Sequence, residues 1–283
     1  MSKMPPVLST VIARVGQVTI TLAQFNVRYN SALVAIEQGG ATSNDPAQTT
    51  NLRTKVLRSL LTDTVINEEA TKLGLEVTPE EVEKQVATDA TQAGGMSALV
   101  TELAGAGGSV AQLEDEITSQ GNEMRLEDHF AQSRAATVEG ILGDGANFIA
   151  TAKNWSDDTG TSDNGGDLGV LTGAQLKTYD PAFATAVEEL AIGDYTRTPI
   201  HDAGGYDIVQ LLSKSSQGYG IRHILIYAGN PYDVRDRPSW FTESLFNAID
   251  QLCQKNQIVV ILNNAGGNPC TAPKPTPPPA SRS

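Results

Sequence analysis

The stretch that most constrains the chain is residues 155–169, Trp-Ser-Asp-Asp-Thr-Gly-Thr-Ser-Asp-Asn-Gly-Gly-Asp-Leu-Gly. A helical run ends at Ser156, a polar loop of turn formers follows, and Gly165-Gly166-Asp167-Leu168-Gly169 leads into the apolar Val170 and Leu171. Glycines in such a run permit positive φ and close backbone approach. Asp and Ser side chains bond their own backbone and hold the loop in shape.

At 283 residues the chain exceeds the usual single-domain size, so two packed units are expected. Its formal charge is −13, from 33 acidic against 20 basic residues. Nucleic-acid and anionic-membrane binding both need basic patches, and this balance argues against them. No stretch approaches the roughly 20 apolar residues of a membrane span. The opening Met1-Ser2-Lys3-Met4-Pro5-Pro6 is too short and polar for a signal peptide. Cys253 and Cys270 form no CxxC, and His129, His201 and His223 have no ligand spacing, so a structural zinc site is not expected. The two cysteines are open to two readings, a disulfide in an oxidising compartment or a pair of inert thiols.

Residues 10–20 read as a β-hairpin turning at Gly16-Gln17, after which Thr21 caps a helix. A polar loop is expected over 40–50. Leu52, Val56, Leu60, Val65 and Ile66 then mark a helix over about 52–73, stopped by Gly74. Thr78-Pro79-Glu80-Glu81 has the form of a capping box opening the next helix. Further helices are expected at about 96–104, 109–119 and 122–142. After the central loop come a strand (168–172), helices (174–191) and strands at 195–201 and 205–213. Near the end, Ser239 caps a helix with an apolar stripe through Phe241, Leu245, Phe246, Ile249, Leu252 and Cys253. Residues 258–262 form a short strand that can pair with the N-terminal hairpin.

Several of these landmarks, taken together, resemble the parvulin peptidyl-prolyl isomerases. They are Asn147-Phe148, Ser-x-Asp at 156–158, Gly-Gly-Asp-Leu-Gly at 165–169, Pro-Ala-Phe at 181–183, Leu-x-x-Gly at 190–193, Thr-Pro-Ile at 198–200 and Gly-Tyr-Asp-Ile-Val at 205–209. The first half is similar to the N-terminal domain of SurA-like and PrsA-like chaperones, through Ala-Arg-Val-Gly-x-x-x-Ile-Thr (13–21), Glu-Ala-x-x-Leu-Gly-Leu (69–75) and Val-Thr-Pro-Glu-Glu-Val (77–82). In the parvulin family a His-Ile-Leu strand precedes the first helix. Here no such strand occupies 125–140, and Ile221-Arg222-His223-Ile224-Leu225-Ile226 comes at the far end instead. The resemblance therefore implies a circularly permuted domain, closed by a hairpin through residues 215–220. A truncated second parvulin unit is the rival reading.

The fold class this implies is α+β: a helical SurA-like domain, completed by the C-terminal helix and strand, plus a parvulin-like domain with a four-stranded antiparallel sheet. The boundaries implied are 1–135, 136–230, 231–267 for the closing helix and strand, and 268–283 for a disordered Pro-rich tail. For the site, the resemblance implies catalytic roles for His223, Asp207 and Asp158 and an apolar proline cup of Leu168, Leu176 or Tyr179, and Phe183. Asp207 stands where active parvulins usually carry a second histidine. If the hairpin turns symmetrically about residue 215, Asp207 lies directly opposite His223. For His223 the plain alternative is a half-buried strand residue, and for Asp158 a turn-forming one. The function implied is an extracytoplasmic folding factor, a prolyl isomerase or chaperone needing no metal or cofactor and acting as a monomer on unfolded or proline-containing polypeptides, its leader or anchor absent from this chain. The alternatives are a holdase with a degenerate parvulin domain and, from the Pro-rich tail alone, a cell-surface structural protein.

Overall fold

A computed structural model describes residues 10–39, 46–228, 238–262 and 267–271. The described residues separate into two compact units, one drawn from 1–123 and 243–275, the other from 124–242. Residues 229–237, and all but 268–271 of the tail expected over 268–283, lie outside the described residues.

The first unit opens with β1 (Val11–Val15) and β2 (Val18–Thr21), joined at Gly16, whose φ of 53° suits a tight turn. Thr21 then closes a capping box with Gln24 and starts α1 (Leu22–Gln38). Next is α2 (Pro46–Leu73), which already begins inside the stretch expected to be loop, because Pro is well placed in a first helical turn. The Thr78–Glu81 capping box starts α3 (Pro79–Ala93), and α4 (Met96–Gly105) follows the glycine pair 94–95.

Where two helices were expected on either side of residues 120–121, one continuous α5 (Val110–Gly143) is found. Gly121 is not a break. A Cβ there would lie 2.5 Å from Val77 Cγ2, so the glycine admits the neighbouring loop. Asn122 beside it accepts the Val77 amide at 2.7 Å and donates to Asn67 Oδ1 at 2.8 Å.

In the second unit Asn147 caps α6 (Phe148–Trp155). Then come β3 (Asp167–Leu171), the single turn α7 (Gly173–Leu176) and α8 (Pro181–Glu189). The chain finishes the sheet with β4 (Ile200–Asp202), β5 (Gly205–Ser215) and β6 (Gly218–Tyr227). The strand expected over 195–201 is short because Pro199 has no amide to donate. Upstream of it, pairing is limited to an isolated bridge between Tyr195 and Gln210.

The antiparallel order is β3-β6-β5-β4, which sets the strand carrying His223 between β3 and β5. Alternation along β5 and β6 serves two cores. Tyr206, Ile208, Ile224 and Ile226 pack with Val138 and Leu142 of α5 and Phe148 of α6. Val209, Leu211 and Ile221 pack with Leu176, Phe183 and Val187.

Two late elements complete the first unit. From α9 (Ser239–Gln254), Leu245, Ile249 and Leu252 join a core containing Phe25, Leu57 and Leu61. From β7 (Ile258–Val260), the chain pairs antiparallel with β1, so the sheet order is β2-β1-β7. A disulfide joins Cys253 to Cys270, settling the two open readings of the cysteines. It fastens the segment whose Gly267 packs on Thr54 and Leu57 of α2, where a Cβ would be 2.8 Å from the Thr54 carbonyl.

The bridge spans a sequence separation of 17 residues that contains β7. Loop-closure entropy then assigns it about 3 kcal/mol. Reducing it, or changing both cysteines to Ser, is expected to lower the Tm of the first unit by roughly 10 °C. Calorimetry with and without reductant checks this, and an unchanged transition would refute it.

Candidate functional site

The site grows from β6. Three of its amides point to the side that β3 covers only in part, and the loop after α6 supplies their partners. His223 N donates to the Gly166 carbonyl at 2.8 Å, Leu225 N to Ser156 Oγ at 3.1 Å, and Tyr227 N to Asp157 Oδ2 at 3.0 Å. Asp157 N returns a bond to the Leu225 carbonyl at 2.7 Å. Gly166 is obligatory here: its φ is 78°, and a Cβ would fall 1.9 Å from the His223 carbonyl oxygen. The glycine-rich loop is thus folded against the strand as a short surrogate for the end of β3.

This docking brings Asp158 to the imidazole. Its Oδ2 lies 2.9 Å from His223 Nε2, and its Oδ1 accepts the Gly160 amide at 2.9 Å. The Thr161 hydroxyl donates to Asp158 Oδ2 and stands 3.2 Å from the same ring nitrogen. On the other side, Asp207 Oδ1 is 2.6 Å from His223 Nδ1.

The register differs from a turn symmetric about residue 215. Val209 faces His223 directly, and Asp207 faces Leu225. The turn lies later, with Ser215 facing Gly218, and an irregularity between Leu211 and Ser213 moves the ladder back by one residue, so Asp207 reaches the ring along a diagonal of the same sheet face.

A carboxylate at each ring nitrogen favours the doubly protonated form of an imidazole. Burial opposes that charge, but Asp207 and then Asp158 overcome it and raise the His223 pKa above its ordinary value. Asp158 also feels burial, yet its bonds from Thr161, His223 and Gly160 bring its carboxyl below the usual range. Asp207 is pushed up, by burial first and by Asp202 in addition, against the pull of His223.

The four apolar residues singled out from sequence gather in one cluster. Leu176 and Phe183 are fully buried, with Leu168 and Tyr179 half-buried against them. The Tyr179 ring stacks on Phe183 at 4.8 Å between centroids. Its phenol is pushed up by burial and by the charges of Asp207 and Asp158, which joins the cup to the ionic pair.

Thr161 and Asp202 escaped the sequence reading, whereas the Gly165-Gly166 pair was a visible sign of close approach. His201, set aside as ordinary, stacks on Tyr206 at 4.6 Å and pairs with Asp128 at 3.2 Å. Among the described residues, no three His, Cys, Asp or Glu are grouped to hold a metal ion.

Two family models match the chain. One, a SurA-like N-terminal domain, covers residues 2–122; the other, a PPIC-type PPIASE domain, covers 117–213 and so ends before His223. Foldase protein PrsA of Lacticaseibacillus paracasei is 33% identical over 93 residues, 32% of this chain and 30% of its own length. The PrsA of Latilactobacillus sakei subsp. sakei is 38% identical over 72 residues, 25% and 23% of the two chains. Chaperone SurA of Sodalis glossinidius is 33% identical over 96 residues, 34% and 20%. The chain therefore spans less than a third of the length of these curated relatives. A crystal structure of the peptidylprolyl isomerase PrsA from Bacillus anthracis aligns with 76% of this chain and 93% of its own at 17% identity, with a TM-score of 0.25, too low to bear on the fold.

The clamp on His223 has a measurable signature. In an NMR titration of the full chain its ring is expected to titrate above the ordinary value near 6.5. It should move down in Asp207→Asn and, separately, in Asp158→Asn. Because the folded-state pKa is the higher one, this pair stabilises fully below the unfolded value and ceases to do so as pH rises through the folded one. A ring titrating below the ordinary value would contradict the geometry.

Proposed function

We propose that this chain, which couples a SurA-like N-terminal domain to a PPIC-type isomerase domain, is a protein-folding factor that turns Xaa-Pro bonds in unfolded polypeptides. The observation that carries this reading is the ionic pair of His223 with Asp158 and Asp207 beside the Leu176–Tyr179–Phe183 cup. Rotation about a peptide bond has a barrier of about 18–20 kcal/mol because twisting ends the amide resonance. That resonance places negative charge on the carbonyl oxygen of the planar forms. A site with two carboxylates and one imidazolium repels that charge more in the planar than in the twisted amide, which lowers the barrier.

Both ring nitrogens of His223 already have acceptors, so its part is to hold the carboxylates. Asp158, with 26% of its side chain exposed against 7% for Asp207, is the one placed to meet a carbonyl. The apolar cup receives the proline ring and keeps water out.

In this reading the isomerase domain is permuted, with its first strand at 221–227. The position of β6 between β3 and β5 and the end of the family match at 213 both favour that. An extracytoplasmic home, periplasm or cell surface, is favoured by the disulfide, which persists in oxidising compartments. No helix among the described residues is long and apolar enough to cross a membrane. The clients are unfolded or proline-containing polypeptides, bound by a monomer. A second reading, a holdase without turnover, is favoured by one observation: a buried carboxylate, Asp207, occupies the place of the expected second histidine.

A protease-coupled assay on short Xaa-Pro peptides, run beside suppression of aggregation of a denatured protein, separates the two. As an isomerase, the wild type accelerates the reaction and Asp207→His slows it by unclamping His223. Phe183→Ala is then expected to raise KM on the order of tenfold, the worth of ~1.4 kcal/mol of lost ring burial. As a holdase, the wild type suppresses aggregation without turnover, and Asp207→His gains activity.

A further inference from the structure

Asp157, the residue before Asp158, has no part in the ionic pair. Its carboxylate is nonetheless one of the most heavily engaged groups in the second unit. Through the single oxygen Oδ2 it accepts the Tyr227 amide at 3.0 Å and the Trp240 indole Nε1–H at 3.0 Å. The Arg134 guanidinium adds opposite charge, and it lies over the faces of two indoles, 4.6 Å from the Trp155 centroid and 5.9 Å from that of Trp240. A half-buried carboxylate with these partners fixes the backbone that bears it.

That backbone is the segment that delivers Asp158. Trp155 ends α6, Ser156 accepts the Leu225 amide, and Asp157 N donates to the Leu225 carbonyl. His223 is two residues earlier on the same strand. On the α6 side the Asp158–His223 separation therefore depends on how the 155–157 segment is pinned along β6, and the outermost pin is the Asp157–Tyr227–Trp240 knot. On the loop side Asp158 is held by Gly160 and by Thr161, whose hydroxyl also reaches His223 Nε2, so the two anchors act together.

We propose that Asp157, with Trp240 and Arg134 around it, is a positioning residue: it holds Asp158 against His223. This rests on Asp158 and His223 being the working pair. Trp240 carries no part of the proline cup, yet it takes part in shaping the site from the opposite end of the loop. The device depends on hydrogen bonds accepted by one oxygen, so an amide in place of the carboxylate can retain it.

The test uses the full chain and reads the His223 ring by NMR titration, which does not require isomerase activity. In Asp157→Ala both bonds are lost, and the titration is expected to move down toward the ordinary histidine value as Asp158 leaves Nε2. Where turnover is measurable, kcat should fall by roughly tenfold or more with KM little changed, the pattern of a misplaced group. Asp157→Asn, whose Oδ1 can accept from both Tyr227 and Trp240, should keep the His223 titration near that of the wild type.

If Asp157→Ala does not fold, Trp240→Phe removes one bond with little loss of packing. It should speed amide exchange at Asp157 and shift His223 in the same direction. A His223 titration unchanged in both Asp157→Ala and Trp240→Phe would overturn the proposal, as would equal shifts in the Ala and Asn variants. A wild type that turns over no peptide would count against the isomerase reading alone, because the titration would still report the position of Asp158.

Discussion

A positive charge buried against a sheet cannot stand alone. In a low-dielectric interior an unpaired imidazolium gives up its proton, and a paired one needs partners at both ring nitrogens. Much of the second unit is arranged to meet that need at His223. The ladder between β5 and β6 carries Asp207 to one nitrogen, and the loop after α6 carries Asp158 to the other. The positive-φ glycine at 166, the Ser156 and Asp157 bonds to β6 and the Thr161 hydroxyl all make the second of these deliveries possible.

The same strands divide the unit into two cores of different character. On one face, helices α5 and α6 cover Ile208, Ile224 and Ile226 with apolar packing that includes the Phe148 ring. On the other, Val209, Leu211 and Ile221 form a floor on which Phe183 and Leu176 rest, and the ionic pair opens beside it. A side-chain period of two on β5 and β6 therefore separates the part that holds the domain together from the part that presents chemistry. Tyr179 spans the boundary, its ring in the apolar cluster and its phenol in the field of two carboxylates.

Much of this was legible from residue order. Gly-Gly-Asp-Leu-Gly announced a tight approach of loop to strand, the cap at Thr21 and the capping box at Thr78 marked helix starts, and the displaced His-Ile-Leu pointed to a strand between β3 and β5. What sequence could not supply was counting. The turn falls later than residue 215 and an irregularity near Leu211 moves the ladder by one, so Asp207 contacts His223 diagonally, and no residue pattern declares that in advance. Gly121 misled because glycine both ends helices and lets a loop pass close to one, and the deciding atom belongs to distant Val77. Asp157 was hidden for a similar reason, since its partners Tyr227 and Trp240 come more than sixty residues later.

The way the first unit is closed has a bearing on how the molecule is made. Its sheet is completed by β7 at residues 258–260, while β1 is drawn from residues 11–15. The described part of the second unit, by contrast, is drawn from one stretch, 124–242. A chain emerging from its N-terminus onward can finish the second unit before the first has all its parts. Until then, β1 has an open edge and the α1–α2 core lacks Leu245, Ile249 and Leu252. Such an edge invites pairing with other chains. A protein with this connectivity is itself, for the interval of its synthesis, an unfinished polypeptide in need of protection, and its last covalent act, the Cys253–Cys270 bond, locks in the segment that ends that interval.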